Sequence, residues 1–133
     1  MKLEGKRVLV VEDEALVSML IEDELLDAGA EVVGPASCIE DALRLLERSE
    51  ADGGIDAAVL DISLDGKHVS PVADRLAALG VPFLFATGYG AGCDTGGHEA
   101  VPKLEKPFDP AGLITVINAL APPARKAGTA RAA

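Results

Sequence analysis

Three features of the sequence predict an α/β domain with a five-stranded parallel sheet and helices on both faces. Strand-like and helix-like apolar patterns alternate along the chain. The apolar residues, almost half of the chain, are nearly all aliphatic, since only Phe83, Phe85, Phe108 and Tyr89 are aromatic. A core of Leu, Val, Ile and Ala is typical of sheets covered by helices. Third, four short apolar runs end in polar groups. Arg7 to Val11 ends in Glu12-Asp13, Ala57 to Leu60 in Asp61, and Phe83 to Ala86 in Thr87, while Val101 to Leu104 leads to Lys106-Pro107. In parallel strands all four ends share one sheet edge, the edge at which open α/β sheets bind ligands.

The elements follow in order. Val8 to Val11 reads as a buried strand. Asp13 is placed to cap a helix from about Glu14 to Ala28, with Val17, Ile21 and Leu25 at four-residue spacing. Glu24 interrupts its broad apolar stripe, and Gly29 stands where a helix-ending glycine belongs. Glu31 to Val33 is the second strand. Ser37-Cys38-Ile39-Glu40 fits a capping box, and Ile39, Ala42, Leu43 and Leu46 follow the helical template. Ala57 to Leu60 is the third strand. Ser70-Pro71 supplies an N-cap and a first-turn proline for a helix carried by Val72, Leu76 and Leu79 to Gly80. Phe83 to Ala86 is the fourth strand. Gly88, Gly90, Gly92, Gly96 and Gly97 then disfavour a helix, each costing about 1 kcal/mol relative to Ala within one. A Gly-rich loop is expected in place of a fourth helix. Val101 to Leu104 is the fifth strand. Asp109-Pro110 opens the last helix, whose buried stripe is Leu113, Val116, Ile117 and Leu120. The expected domain is 1–121, followed by a disordered tail over 122–133.

The net charge is −10. The segment 122–133 holds Arg125, Lys126, Arg131 and no acid, leaving 9 basic against 22 acidic residues in the body, or −13. That balance argues against nucleic acid and anionic membranes as partners. Cys38 and Cys93 are too few for a disulfide framework, and Glu12, Asp13 and Glu14 come too early for a signal peptide. A cytoplasmic protein, monomeric or weakly dimeric, is expected.

The strand-end residues suggest one chemistry. Glu12, Asp13 and Asp61 offer hard oxygen donors suited to Mg²⁺, and a backbone carbonyl just past Asp61, that of Ser63, could complete the set. Taken alone, Glu12-Asp13-Glu14 read better as an acidic helix N-terminus favoured by the macrodipole. Asp61 is already an anionic nucleophile, hindered only by repulsion from an incoming phosphoryl group. A divalent cation and the Lys106 ammonium would remove that repulsion, and Thr87 could donate its hydroxyl to a phosphoryl oxygen. Taken singly, Lys106 also reads as a surface lysine and Thr87 as a turn residue before Gly88.

Together these residues resemble a response-regulator receiver domain of two-component signalling. The likeness rests on Val10-Val11-Glu12-Asp13-Glu14, Val59-Leu60-Asp61, Ala86-Thr87-Gly88 and Lys106-Pro107-Phe108, and it covers about Arg7 to Leu120. It implies a flavodoxin-like sheet of order 2-1-3-4-5. It also implies phosphorylation of Asp61 by a histidine kinase or phosphotransfer protein. Glu12, Asp13, Asp61 and the Ser63 carbonyl would hold Mg²⁺, Lys106 would bind the phosphoryl oxygens, and Thr87 would move toward them. A cis Lys106-Pro107 bond is common in the family. Two positions depart from its pattern. Lys103 stands where an aromatic switch residue is usual, and glycines replace the fourth helix. Both departures resemble the FAT GUY subgroup, on the motif Pro82-Phe83-Leu84-Phe85-Ala86-Thr87-Gly88-Tyr89-Gly90. That subgroup often pairs with HWE-type kinases and makes Tyr89 the candidate switch aromatic, against a plain loop tyrosine.

Other groups carry less. Cys93, Asp94, His98 and Glu99 share one loop without a standard metal-ligand spacing. His68 lies in the loop after the third strand, where it could tune solvent access to an acyl phosphate or simply be solvated. Asp65 reads as a turn residue before Gly66. With no output domain expected after Leu120, a stand-alone switch acting through protein contacts, or a phosphate sink, is the leading function. A haloacid-dehalogenase-like phosphatase also phosphorylates an Asp after a strand. It wants a second Asp two residues on, where Ser63 stands. A phosphorylation-independent adaptor is the third possibility.

Overall fold

The computed structural model describes residues 3–64, 66–87, 97–98, 101–105 and 109–120. Among them the elements run β1 (Arg7–Val11), α1 (Ala15–Asp27), β2 (Glu31–Ala36), α2 (Ile39–Ala51), β3 (Ala57–Asp61), β4 (Ser63–Leu64), β5 (Lys67–His68), α3 (Ser70–Leu79), β6 (Phe83–Thr87), β7 (Lys103–Glu105) and α4 (Pro110–Leu120). The main sheet is parallel, of order β2-β1-β3-β6-β7, which is the 2-1-3-4-5 order expected for five major strands. The Gly-rich loop expected in place of a fourth helix falls largely on residues 88–96 and 99–100, outside the described residues.

Both faces of the sheet are covered, so the central strands are apolar on both sides between their polar ends. Leu9, Val11, Ala58, Leu60, Phe83 and Phe85 point to one side, where they pack with Ala42 and Leu46 of α2 and Val72, Ala73 and Leu76 of α3. Val8, Val10, Ala57, Val59, Leu84 and Ala86 alternate to the other side, against Ile21 and Leu25 of α1 and Leu113, Ile114 and Ile117 of α4. Each large side chain so buried contributes about 1.5–3 kcal/mol. The expected aliphatic core is present, with Phe83 and Phe85 in edge-to-face contact at 5.6 Å within it.

The backbone sets two glycines. Gly29 follows the end of α1 at φ +89°, and Gly34 in β2 lies at φ +104°. A Cβ on Gly34 would stand 3.0 Å from the Val10 carbonyl, so the β1–β2 register shift needs a glycine there.

Helix starts differ from the sequence expectation. Glu14, not Asp13, occupies the N-cap of α1, because Asp13 stands among the strand-end carboxylates. Cys38 rather than Ser37 precedes α2, since β2 stays extended to Ala36, whose carbonyl accepts the Glu12 N–H at 2.9 Å. Val69 rather than Ser70 precedes α3, because its N–H is held by the Ile62 carbonyl at 2.8 Å. In β7 pairing begins at Lys103 rather than Val101: Pro102 has no N–H to give, and its carbonyl accepts from Phe85. The hairpin β4–β5 was not anticipated, although Gly66 in its turn has φ +81°.

Helix α1 buries only Ser18, Ile21 and Leu25. Leu16, Met19, Leu20 and Leu26 are exposed, Leu16 by 78%. The broad apolar stripe is therefore divided, one part in the core and the other an open face.

Candidate functional site

The parallel register collects the polar strand ends. Val11 lies beside Leu60, so Glu12, the residue after β1, comes next to Asp61, the last of β3. Asp61 in turn lies beside Ala86, with Thr87 one residue further along β6. Thr87 pairs with Glu105 of β7. Glu12, Asp61 and Thr87 are buried, at 3%, 8% and 3% exposure, whereas Asp13 is exposed. Carboxylate oxygens of Glu12, Asp13 and Asp61 all lie within 4.8 Å of one another.

Local bonds orient this set. Glu12 Oε2 accepts the N–H of Glu14 at 3.1 Å, turning the chain out of β1 and into α1. Asp61 Oδ1 accepts the N–H of Ser63 at 3.4 Å, a weak bond that brings the Ser63 backbone to the acceptor side chain. Ser63 then enters the β4–β5 hairpin opposite His68. Three carboxylates in one small volume repel each other, and a cation relieves that repulsion.

The donor set fits Mg²⁺. Oxygens at opposite corners of its octahedron stand about 4.2 Å apart, twice the usual Mg–O distance. The carboxylate oxygens, all within 4.8 Å of one another, reach such spacings with side-chain adjustments of less than an ångström.

Of the residues singled out from sequence, Glu12, Asp13, Asp61, Ser63 and Thr87 come together. Lys106, Tyr89 and the Lys106-Pro107 bond lie outside the described residues, as do Asp65, Cys93, Asp94 and Glu99. Lys103, at the departure from the family pattern, is half-buried in β7 opposite Phe85. His98, the one member of the loop group among the described residues, faces Asp74 of α3. Sequence reasoning left open the part played by His68. Its Nδ1 accepts the N–H of Ser70 at 3.0 Å, and no periodicity signals such a bond.

No protein-family model matches the chain. The phyllosphere-induced regulator PhyR of Methylorubrum extorquens (strain AM1) is 34% identical over 114 residues, 84% of this chain. The chain spans only 42% of that curated relative's length. The PhyR response-regulator REC domain of Erythrobacter litoralis superposes with a TM-score of 0.73 at 26% identity, covering 90% of this chain and 92% of that one. SdrG from Sphingomonas melonis Fr1 is 40% identical with a TM-score of 0.71, covering 90% of this chain and 97% of SdrG. The chain belongs to the response-regulator receiver domains. A second SdrG structure, of its BeF3-activated conformation, matches this receiver at 40% identity with a TM-score of 0.70, covering 87% of this chain and 96% of that one.

The PhyR relatives are named as regulators and not as enzymes, which counts against the phosphatase alternative. Among the described residues of this receiver, no helix is long and apolar enough to cross a membrane.

Proposed function

We propose that this receiver is a Mg²⁺-dependent phosphoacceptor switch, with residues 1–121 as the functional unit. The observation that carries the reading is the convergence of Glu12, Asp13 and Asp61 at adjacent strand ends, with Thr87 at the next. Asp61 is the nucleophile. Its carboxylate oxygen bonds to phosphorus as the bond from phosphorus to the donor's histidine nitrogen breaks, and the electron pair leaves with the imidazole. Glu12 and Asp13, with the Asp61 carboxylate and the Ser63 carbonyl, would hold the ion. Bound Mg²⁺ supplies neutralisation of the phosphoryl oxygens during transfer. Thr87, buried beside Asp61, gives its hydroxyl to a phosphoryl oxygen, and Lys106 supplies an ammonium.

The phosphodonor is a histidine kinase, of HWE type if the FAT GUY likeness holds, or a phosphotransfer protein. The open apolar face of α1 supports a protein partner, because Leu16, Met19 and Leu20 lie on the helix that starts beside the acidic set. The BeF3-activated structure of SdrG supports a phosphoryl-mimic response in this receiver too. Tyr89, two residues after Thr87, is the switch aromatic, and the output is a change of protein contacts or the draining of phosphoryl groups from a shared kinase.

The test is Mg²⁺-dependent phosphotransfer from kinases of the same genome, with Asp61→Asn as control. Labelling that needs Mg²⁺ and vanishes in the variant is expected. Labelling that persists in Asp61→Asn would move the acceptor elsewhere, and turnover of phosphate esters without a stable phosphoprotein would restore the enzyme reading.

A further inference from the structure

The first turn of α3 has an unusual distribution of hydrogen bonds. The opening N–H groups of a helix have no partner within it. Here the second residue, Pro71, has no N–H to satisfy. The next two, Val72 and Ala73, both donate to the Val69 carbonyl, at 2.9 and 3.1 Å. The N-cap Val69 has an apolar side chain and makes no side-chain cap bond. The remaining N–H, that of Ser70, donates to His68 Nδ1 at 3.0 Å. An accepting Nδ1 places the ring proton on Nε2. His68 thus does from outside the helix what an N-cap side chain would do.

His68 also ends the strand that pairs with the two residues of β4, which follow the acceptor closely in the chain. Ser63 pairs directly with His68, and Leu64 with Lys67. The base of this hairpin is closed by the Val69 N–H on the Ile62 carbonyl at 2.8 Å. Ile62, Leu64 and Val69 anchor it in the core. The hairpin therefore hangs between two fixed points, the end of β3 and the start of α3. Ser63 stands at the end nearer Asp61, its N–H 3.4 Å from Asp61 Oδ1.

We propose that His68 is a positioning residue of the phosphoacceptor site: by clamping β5 to the first turn of α3 it holds Ser63 opposite, and so sets the Ser63 backbone against Asp61 and its cation. The proposal rests on the phosphoacceptor reading above. Without the imidazole the Ser70 N–H loses its acceptor and the hairpin gains freedom to twist about its core anchors. The backbone that carries Glu12, Asp13 and Asp61 is set by the pairing of β1, β3 and β6, not by the hairpin. The ion is then still bound by the carboxylates, with the fourth protein ligand loosened.

The experiment compares wild type, His68→Ala and His68→Asn. Asn is chosen because its side-chain carbonyl retains an acceptor on a short stem. Two quantities are read: amide exchange at Ser70 in the Mg²⁺-free protein, and the Mg²⁺ concentration giving half-maximal beryllofluoride loading. His68→Ala should lose protection at Ser70 while amides of β1, β3 and β6 keep theirs. Its Mg²⁺ requirement should rise about tenfold, the low end for loss of a group that orients a metal ligand, with full loading at saturation. His68→Asn should restore both quantities, at least in part. Wild-type loading in His68→Ala at wild-type Mg²⁺ overturns the proposal alone. Equal defects in both variants also overturn it, since the acceptor would then not be what matters. Absence of beryllofluoride binding in the wild type overturns the phosphoacceptor reading itself, and this proposal with it.

Discussion

His98 Nε2 stands 2.8 Å from Asp74 Oδ1, joining the segment between β6 and β7 to helix α3. The imidazole also meets the Phe83 ring edge-on, with centroids 5.5 Å apart. The His98 carbonyl accepts the Val101 N–H at 3.2 Å, just ahead of β7. The contact thus fixes the approach to the last strand from outside the sheet.

Asp74 is 67% exposed on its side chain, so the pair adds little to global stability, about 0–1 kcal/mol. Its effect should be local. Asp74→Ala is expected to leave the thermal midpoint nearly unchanged and to speed amide exchange at Val101. Equal exchange at Val101 in both proteins would show that Phe83 packing alone holds His98.

Asp61→Asn removes the nucleophile while keeping side-chain size. Acid-stable, base-labile phosphorylation should vanish. The Ser63 N–H keeps a carbonyl oxygen to donate to, so the fold should be retained. Phosphotransfer assays paired with circular dichroism check both halves.

Mg²⁺ should raise the thermal midpoint and saturate, because an ion bound only by the folded state stabilises it by mass action, about 2.7 kcal/mol at one hundred times its dissociation constant. Asp13→Ala takes one carboxylate from the cluster and should abolish most of the rise. In the absence of the ion the same variant should be slightly more stable than wild type, since a repelling charge is gone. A Mg²⁺ titration by differential scanning fluorimetry reads both signs, and a wild-type midpoint indifferent to millimolar Mg²⁺ would refute the site.

Asp56 locks the far end of β1. Its Oδ2 accepts the Arg7 N–H at 2.8 Å, and its own N–H donates to the Arg7 carbonyl at 2.8 Å. Asp56→Ala strips the acceptor from a part-buried amide and should cost about 1–3 kcal/mol. Asp56→Asn, which keeps a carbonyl acceptor, should cost less. Urea unfolding at unchanged m-value would measure the difference.

Most of the architecture could be read along the chain. The apolar runs of β1, β3 and β6 are short and continuous because both faces of the sheet are covered, and that continuity marks them as central strands. Glu12, Asp13, Asp61 and Thr87 were recognisable because each follows or ends such a run, and parallel strands bring like ends to one edge. What the sequence left unread has a different origin. The caps of α1, α2 and α3 shifted by one residue because strand pairing and hairpin closure, not local side-chain preference, decide where each helix begins. Likewise, Leu16, Met19 and Leu20 look no different from Ile21 and Leu25 in composition. Only the placement of the sheet and α4 decides which of them are covered.

The sequence alone thus determined the strand and helix order and the identity of the carboxylates at the strand ends, because those follow from periodicity and from residues a few positions apart. The tertiary structure decided which side chains partner across distance. His98 with Asp74, and Asp56 with the Arg7 backbone, are such cases. Arg7 and Asp56 are separated by 49 residues and His98 and Asp74 by 24, and no local preference encodes contacts that exist only once the sheet has formed.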